Sequence, residues 1–276
     1  MKHYFLILCL AICFASAAQK HELVKKWETD SVFKVPESVL YDPDHQVLYV
    51  TNIEGTDPWG KDGLGSIGKM GADGKVINAE WITGFNAPKG MGLYHHTLFV
   101  ADMDKVVVVD LHQGKIISAI EVPGAVGLND ISIDASGVIY VSDSKAKKLY
   151  RIQNGIATVH LENLKGPNGV LFHKDVLYVL DAGGLYKVSA DKSLTMIVDG
   201  MEGGTDGIEN IGGDDFIVSA WGGVVYHVNA AEGSKHILLD GRAAKINSAD
   251  IGYNPATKTL YVPTFWKNTV VAYEVK

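Results

Sequence analysis

The stretch GPNGVLFHKDVLYVLD, Gly166 to Asp181, reads as a turn, a short strand, a tight turn and a second apolar strand. Its closing element is repeated. VLYVTN centres on Tyr49, TLFVAD on Phe99, VIYVSD on Tyr140, VLYVLD on Tyr178, DFIVSA on Phe216 and TLYVPT on Tyr261. The centres lie 50, 41, 38, 38 and 45 residues apart. Each copy follows a polar turn such as YDPDHQ, IDASG or YNPATK, and precedes a third strand such as KVVVVDL, KKLYRI or GGVVYHV. A fourth strand usually comes next, as in KVINAEWI or KIISAIEV. Four short antiparallel strands at a period near forty residues mark a β-propeller blade. No stretch carries a long helical periodicity. The chain is therefore expected to be all-β, a six-bladed β-propeller. A β-sandwich, the other architecture built of short strands, does not require this spacing.

The sixth cassette ends at the C-terminus with three strands only. HELVKKWETDSVFKVPES near the N-terminus aligns with the fourth strand of the first blade, Trp27 against Trp81. The N-terminal strand is thus expected to pair with the last blade and close the ring, which leaves few open strand edges.

Ahead of it, Lys2, the apolar run FLILCLAICF and the small residues ASAA have the layout of a cleaved secretory signal, residues 1–18, leaving 19–276 as one propeller domain. The apolar run is too short to span a bilayer. Both cysteines, Cys9 and Cys13, lie in that segment. The mature chain then has no disulfide, thiolate or zinc–cysteine chemistry. An exported, disulfide-free protein suits a bacterial periplasm or the extracellular space. The formal charge is −7 with no basic run, which argues against nucleic acid as a partner. The sequence leaves the oligomeric state open.

The first strand of each blade lines the central channel of a propeller. Aligning the cassettes places Glu37, Lys89, Asn129, Asn168, Asp206 and Ala249 at equivalent strand-opening positions. A slip of one residue would substitute Asp130 or Asp250. Glu, Asn and Asp are poor strand formers, although Asn and Asp also serve turns. Four oxygen-bearing side chains, Glu37, Asn129, Asn168 and Asp206, would form a hard-oxygen cage suited to Ca²⁺, with Zn²⁺ or Mg²⁺ as alternatives. Lys89 beside that cage would either pair with an acid in place of a cation or polarise a substrate carbonyl. The long connection Thr51–Lys69, carrying Trp59, reads as a lid or as a surface insertion. Trp221 and Trp266 occupy the corresponding connections of the fifth and sixth blades. His45, His95, His96, His173 and His227 fall in turns or third strands and read as surface or structural residues.

Over essentially the whole mature length the chain resembles the SMP-30/gluconolactonase/LRE-like family. The carrying motifs are PESVLYDP with Glu37, LNDISIDASGVIYVSD with Asn129 and Asp130, PNGVLFHKDVLYVLD with Asn168, and TDGIENIGGDDFIVSAWGG with Asp206. The resemblance implies one divalent cation held by Glu37, Asn168 and Asp206, with Asn129 contacting the substrate and in some members the metal. It implies hydrolysis of a lactone or ester by metal-activated water, with Asp206 as general acid/base. Asp130, Lys89 and Trp59 are further expected contacts to a small-molecule substrate. Gly127 stands where lactonases of the family often carry Arg, which puts a sugar lactone in doubt. No histidine falls in the expected mouth, so a paraoxonase-like mechanism is disfavoured. Strictosidine-synthase-like condensation lacks a carboxylate beyond the cage. The other reading is a non-catalytic envelope propeller that binds a ligand or protein at its mouth.

Overall fold

The structure is a computed structural model and describes residues 21–276. The expected signal segment, with both cysteines, lies outside them. The described residues form six four-stranded antiparallel sheets. Blade one is β2 (Pro36–Asp42), β3 (Val47–Asn52), β4 (Gly65–Gly71) and β5 (Val76–Phe85); blade two is β6 (Pro88–Tyr94), β7 (Thr97–Asp102), β8 (Lys105–Asp110) and β9 (Lys115–Glu121). Blade three is β10 (Leu128–Ile133), β11 (Ile139–Asp143), β12 (Lys148–Gln153) and β13 (Ile156–Leu161); blade four is β14 (Pro167–His173), β15 (Val176–Asp181), β16 (Gly184–Val188) and β17 (Leu194–Val198). Blade five is β18 (Thr205–Gly212), β19 (Asp215–Ala220), β20 (Val224–Asn229) and β21 (Ser234–Asp240). Blade six combines β22 (Gly252–Asn254), β23 (Thr259–Pro263) and β24 (Val270–Val275) with β1 (Leu23–Glu28) as its outer strand. This is the six-bladed propeller that the repeats predict.

The apolar residues of the repeated strands serve the gaps between blades. One buried cluster lies in each gap. Tyr49, Ile67 and Phe85 of blade one meet Leu98, Val100 and Val109 of blade two. Leu48, Val50 and Met70 meet Tyr261 and Val270 of blade six on the other side. The remaining four gaps are filled in the same way. The tyrosine at the centre of the second strand also explains the Trp27–Trp81 equivalence. Trp81 stacks on Tyr49 at 5.5 Å between centroids, and Trp27 lies 5.8 Å from Tyr261. Ring closure is further secured between blades one and six by backbone bonds, Asp250 N–H to Glu37 O at 2.8 Å and Val39 N–H to Asp250 O at 3.3 Å.

A second device aims side chains into the channel. In five blades the pairing of the innermost strand with its neighbour shifts register at its second residue: Pro36/Ser38, Pro88/Met91, Leu128/Ile131, Pro167/Val170 and Thr205/Ile208. Such bulges take one or two residues out of the ladder and redirect them. The residues so released are Glu37, Lys89 and Gly90, Asn129 and Asp130, Asn168 and Gly169, and Asp206 and Gly207. Backbone N–H groups freed by the bulge find hydroxyls of the next strand. Ser38 N–H bonds Thr51 Oγ1, Asp130 N–H bonds Ser142 Oγ, and Gly207 N–H bonds Ser219 Oγ, all at 2.8–2.9 Å.

Below the mouth lies a second layer, one residue per blade: Gly90, Asp130, Gly169 and Gly207 are released by the bulges, and Ser38 of blade one and Asp250 ahead of β22 complete it. Glycine is needed there for space. A Cβ on Gly90 would lie 2.5 Å from Asp130 Oδ1, and one on Gly207 would lie 2.3 Å from Asp250 Oδ1. Asp130 accepts from Ile131 N–H (2.6 Å) and Val170 N–H (2.7 Å), and Asp250 accepts from Ser38 Oγ (2.6 Å). Together with Glu209 they line a channel cavity of about 330 Å³. Burial pushes Asp250 up to about 8, aided by the Glu37 charge. Burial likewise raises Glu209 to about 8, aided by Asp250.

Two measurements test this architecture. Truncating Trp27 to Ala removes the packing on Tyr261 that holds the closing strand. Unfolding free energy by denaturant titration is expected to drop by about 2 kcal/mol, below the cost of deleting a fully buried Trp because Trp27 is half-buried. The channel acids make the second. The folded chain keeps protons on Asp250 and Glu209 to about pH 8, whereas the unfolded chain releases them near pH 4. Stability must then decline as pH rises through that window. In cation-free buffer the thermal midpoint at pH 8.5 is expected several degrees below that at pH 5, and Asp250→Asn should flatten the slope.

Candidate active site at the mouth of the ring

The mouth residues are held from beneath by the last residue of the second strand in the same blade. Asp102 accepts the N–H groups of Asn86 (3.0 Å) and Ala87 (2.9 Å), just ahead of Lys89. Asp143 accepts those of Val126 (2.8 Å) and Gly127 (3.1 Å), ahead of Asn129. Asp181 accepts those of Lys165 (2.9 Å) and Gly166 (2.6 Å), ahead of Asn168. In blade one Asn52 Oδ1 accepts from Lys34 N–H at 3.2 Å. Asp206 in blade five lacks such an anchor, since the equivalent residue is Ala220. Val35, ahead of Glu37, sits at φ 56°. A β-branched residue in the left-handed region is strained, and such strain gathers at functional sites.

Glu37, Lys89, Asn129, Asn168 and Asp206 converge on one cavity of about 440 Å³, with Pro58, Trp59, Trp221, Phe265 and Trp266 as its walls. All are buried or half-buried except the two indoles Trp221 and Trp266. Lys89 Nζ stands 3.6 Å from Glu37 Oε1, an ion pair too long for a strong hydrogen bond. Glu37 Oε2 has no partner, although it is buried. Asn168 donates from Nδ2 to Asp206 Oδ1 at 2.9 Å, which leaves Asn168 Oδ1 buried and unpartnered. Asn129 donates to Ser144 Oγ at 2.9 Å, and that hydroxyl donates to Pro167 O at 2.6 Å. The amide of Asn129 is thus oriented with its oxygen uncommitted.

Electrostatics in the mouth is set by burial and by acids facing acids. Burial raises the Asp206 carboxyl well above the usual carboxylate range, and the charges of Glu37 and Asp250 raise it further, against Lys89 and the Asn168 hydrogen bond. Burial raises Glu37 as well, opposed by Lys89. A buried acceptor without a donor is costly, and here there are two, both oxygens. That donor set fits a hard divalent cation, whose binding would satisfy Glu37 Oε2 and Asn168 Oδ1 and restore the charge on Asp206.

Asp130, expected at the substrate, does not line this cavity. The bulge at Asn129 releases two residues, and the second points one layer deeper, where its carboxylate is taken by Ile131 and Val170 N–H groups. Ala249 is buried beneath the mouth beside Val35, Ile53, Phe265 and Trp59.

The long connection does reach the mouth. Trp59 rests between two ammonium groups, Lys89 Nζ at 4.3 Å and Lys145 Nζ at 4.8 Å from its ring, a cation–π arrangement. Its loop is tied down by Lys61 to Asp104 at 2.6 Å. Gly127 explains the seat. A Cβ there would lie 2.4 Å from Lys145 Cγ and 2.8 Å from Trp59 Cζ3. The space that an Arg side chain would need is taken by Lys145 and Trp59. Phe265 and Lys145 were not among the expected site residues. Phe265 was masked by its neighbour Trp266, against which it packs edge-on at 4.8 Å, as it does against Trp221 at 5.5 Å. Lys145 had no signal in the sequence, since only the fold brings it over residue 127.

No protein-family model matches the chain, and no curated protein matches it by sequence. Solved structures match its fold. A streptogramin B lyase superposes with a TM-score of 0.65 at 10% identity over 93% of this chain and 98% of that one. A gluconolactonase from Xanthomonas campestris gives 0.66 at 16% identity over 88% and 87%. A catalytically inactive virginiamycin B lyase from Staphylococcus aureus, with quinupristin, gives 0.62 at 12% identity over 92% and 99%. At these identities the likeness establishes the propeller fold.

Proposed function

We propose that the protein is an exported, cation-dependent hydrolase of a lactone or ester, acting at the mouth of the ring. The observation that carries this reading is the pair of buried, unpartnered oxygens, Glu37 Oε2 and Asn168 Oδ1, beside Asp206. The gluconolactonase among the structural neighbours is consistent with it. Glu37, Asn168 and Asp206 would hold the cation, Ca²⁺ first by donor type, with Asn129 near enough to share it or to meet the substrate. When bound, the cation supplies Lewis-acid polarisation of the scissile carbonyl.

The chain's own groups do the rest. Asp206 is held in one orientation by Asn168 and carries a proton between attacking water and leaving oxygen. Lys89 lies within the same wall and stabilises negative charge developing on the carbonyl oxygen. Trp59, Trp221, Phe265 and Trp266 exclude water and accept the apolar body of the substrate. With Gly127 in place of Arg, the pocket offers an aromatic rim where a polyhydroxylated sugar would want hydrogen-bond donors. A hydrophobic lactone suits it better. The connection between β3 and β4, which the structure narrows from the expected Thr51–Lys69 to residues 53–64, acts as a lid seated on Gly127.

One observation favours a second reading. Lys89 already neutralises part of the Glu37 charge at 3.6 Å, and on that reading the mouth serves ligand capture alone, without a cation or a reaction.

Ca²⁺ added after EDTA treatment is expected to raise the thermal midpoint of the wild type and to leave that of Asp206→Ala unmoved. A panel of alkyl-substituted lactones should then be hydrolysed, with turnover falling by about 10²–10⁴-fold in Asp206→Asn. No cation response, with ligand binding intact, would favour the second reading. The lid is tested separately. Gly127→Val should unseat Trp59, so that limited proteolysis cuts within residues 53–64 faster than in the wild type while denaturant stability stays close to it.

A further inference from the structure

Three histidines and an aspartate gather away from the mouth, where the closing strand of blade six passes blade five. His227 of β20 lies with its ring 4.7 Å from that of His21, which precedes β1, and 4.7 Å from that of His236 on β21. Asp215 opens β19 between them. His227 Nε2 is 2.9 Å from Asp215 Oδ1, and His21 Nε2 is 3.8 Å from Asp215 Oδ2. One donor atom from each of His21, Asp215 and His227 lies within 4.8 Å of the other two.

We propose that His21, Asp215 and His227 form a site for a borderline transition-metal ion, of which Zn²⁺ is the representative, that clasps the N-terminal segment to blade five. Two imidazoles and one carboxylate suit Zn²⁺ far better than Ca²⁺, so this site and the oxygen-lined mouth differ in metal class. Three protein ligands leave a fourth position for water, a common zinc arrangement. Zinc–ligand bonds of about 2.0–2.2 Å require the donors to draw somewhat closer.

The surroundings are those of a prepared ligand set. His21 Nδ1 bonds the Lys276 carbonyl at 3.1 Å, which fixes that nitrogen as the donor and turns Nε2, with its lone pair, toward Asp215. Asn229 Nδ2 donates to Asp215 Oδ1 at 2.8 Å and orients the carboxylate. The independent observation is His227 itself. Its side chain is only 6% exposed, and its Nδ1 has no hydrogen-bond partner. His236 Nε2, over the same ring, is also buried and unpartnered. A buried imidazole with one idle nitrogen is poorly explained by packing alone.

Isothermal titration of the tag-free protein with ZnCl₂ tests the proposal, using wild type, His21→Ala, Asp215→Asn and Asp206→Asn, each checked for native circular dichroism. One zinc site is expected in the wild type and in Asp206→Asn, with affinity at least ~10-fold weaker in both His21→Ala and Asp215→Asn. His21 precedes β1 and is half-buried, so its replacement spares the clusters between the blades. Absence of zinc binding by the wild type overturns the proposal. So does unchanged affinity in His21→Ala, retention in Asp215→Asn, which would leave the ion to the chain end alone, or loss only in Asp206→Asn, which would place it in the mouth.

Discussion

The rest of the site depends on the bulge at the second residue of five of the six innermost strands. In a regular ladder that residue would be paired to the next strand and its side chain committed to a blade face. Breaking the pairing frees Glu37, Lys89, Asn129, Asn168 and Asp206 to point inward. It also strands backbone N–H groups, and these must be answered. The hydroxyls of Thr51, Ser142 and Ser219 answer those inside the bulge. The terminal acids Asp102, Asp143 and Asp181 answer those of the approaching turn. The cassettes VTN and VSD therefore end in two polar residues, VAD and VLD in the acid alone and VSA in the hydroxyl alone, because the same short strand that packs the blade must also brace the bulge beside it.

This division of labour accounts for what the sequence disclosed. The apolar centre of each cassette faces the gap between blades, and its spacing is set by blade size, so the propeller and its closing strand are legible from the repeats. The five mouth residues are legible too, because each stands second in its strand, behind Pro in three blades and behind Leu128 or Thr205 in the others. Depth was not legible. A bulge releases two consecutive residues, and nothing in LNDI distinguishes Asn129, which lines the mouth, from Asp130, which lies a layer below. Nor does sequence separate a missing Arg at Gly127 from a seat vacated for Trp59 and Lys145. The cluster of His21, Asp215 and His227 was hidden for a simpler reason. His21 precedes β1, whereas Asp215 and His227 lie far along the chain in blade five, and only ring closure brings them together.

The charge balance of the channel limits what the mouth can do. Glu37, Asp206, Asp130 and Asp250 share the axis, with Glu209 further along it, and Lys89 is the one ammonium among them. Buried carboxylates at such spacing cannot all ionise without compensation. Asp130 and Asp250 take part of theirs from N–H and hydroxyl donors and the rest from protons, as their upward shifts indicate. Asp206 has a single amide donor and two acidic neighbours. Either it holds a proton, or a divalent cation, as proposed for the mouth, would convert it to a carboxylate. Lys89 cannot do this alone, because its single charge is already turned toward Glu37 and the face of Trp59. The protonation state of Asp206 is thus tied to occupancy of the mouth, and the lower acids, held by their own donors, keep the two layers electrostatically linked across Asp250.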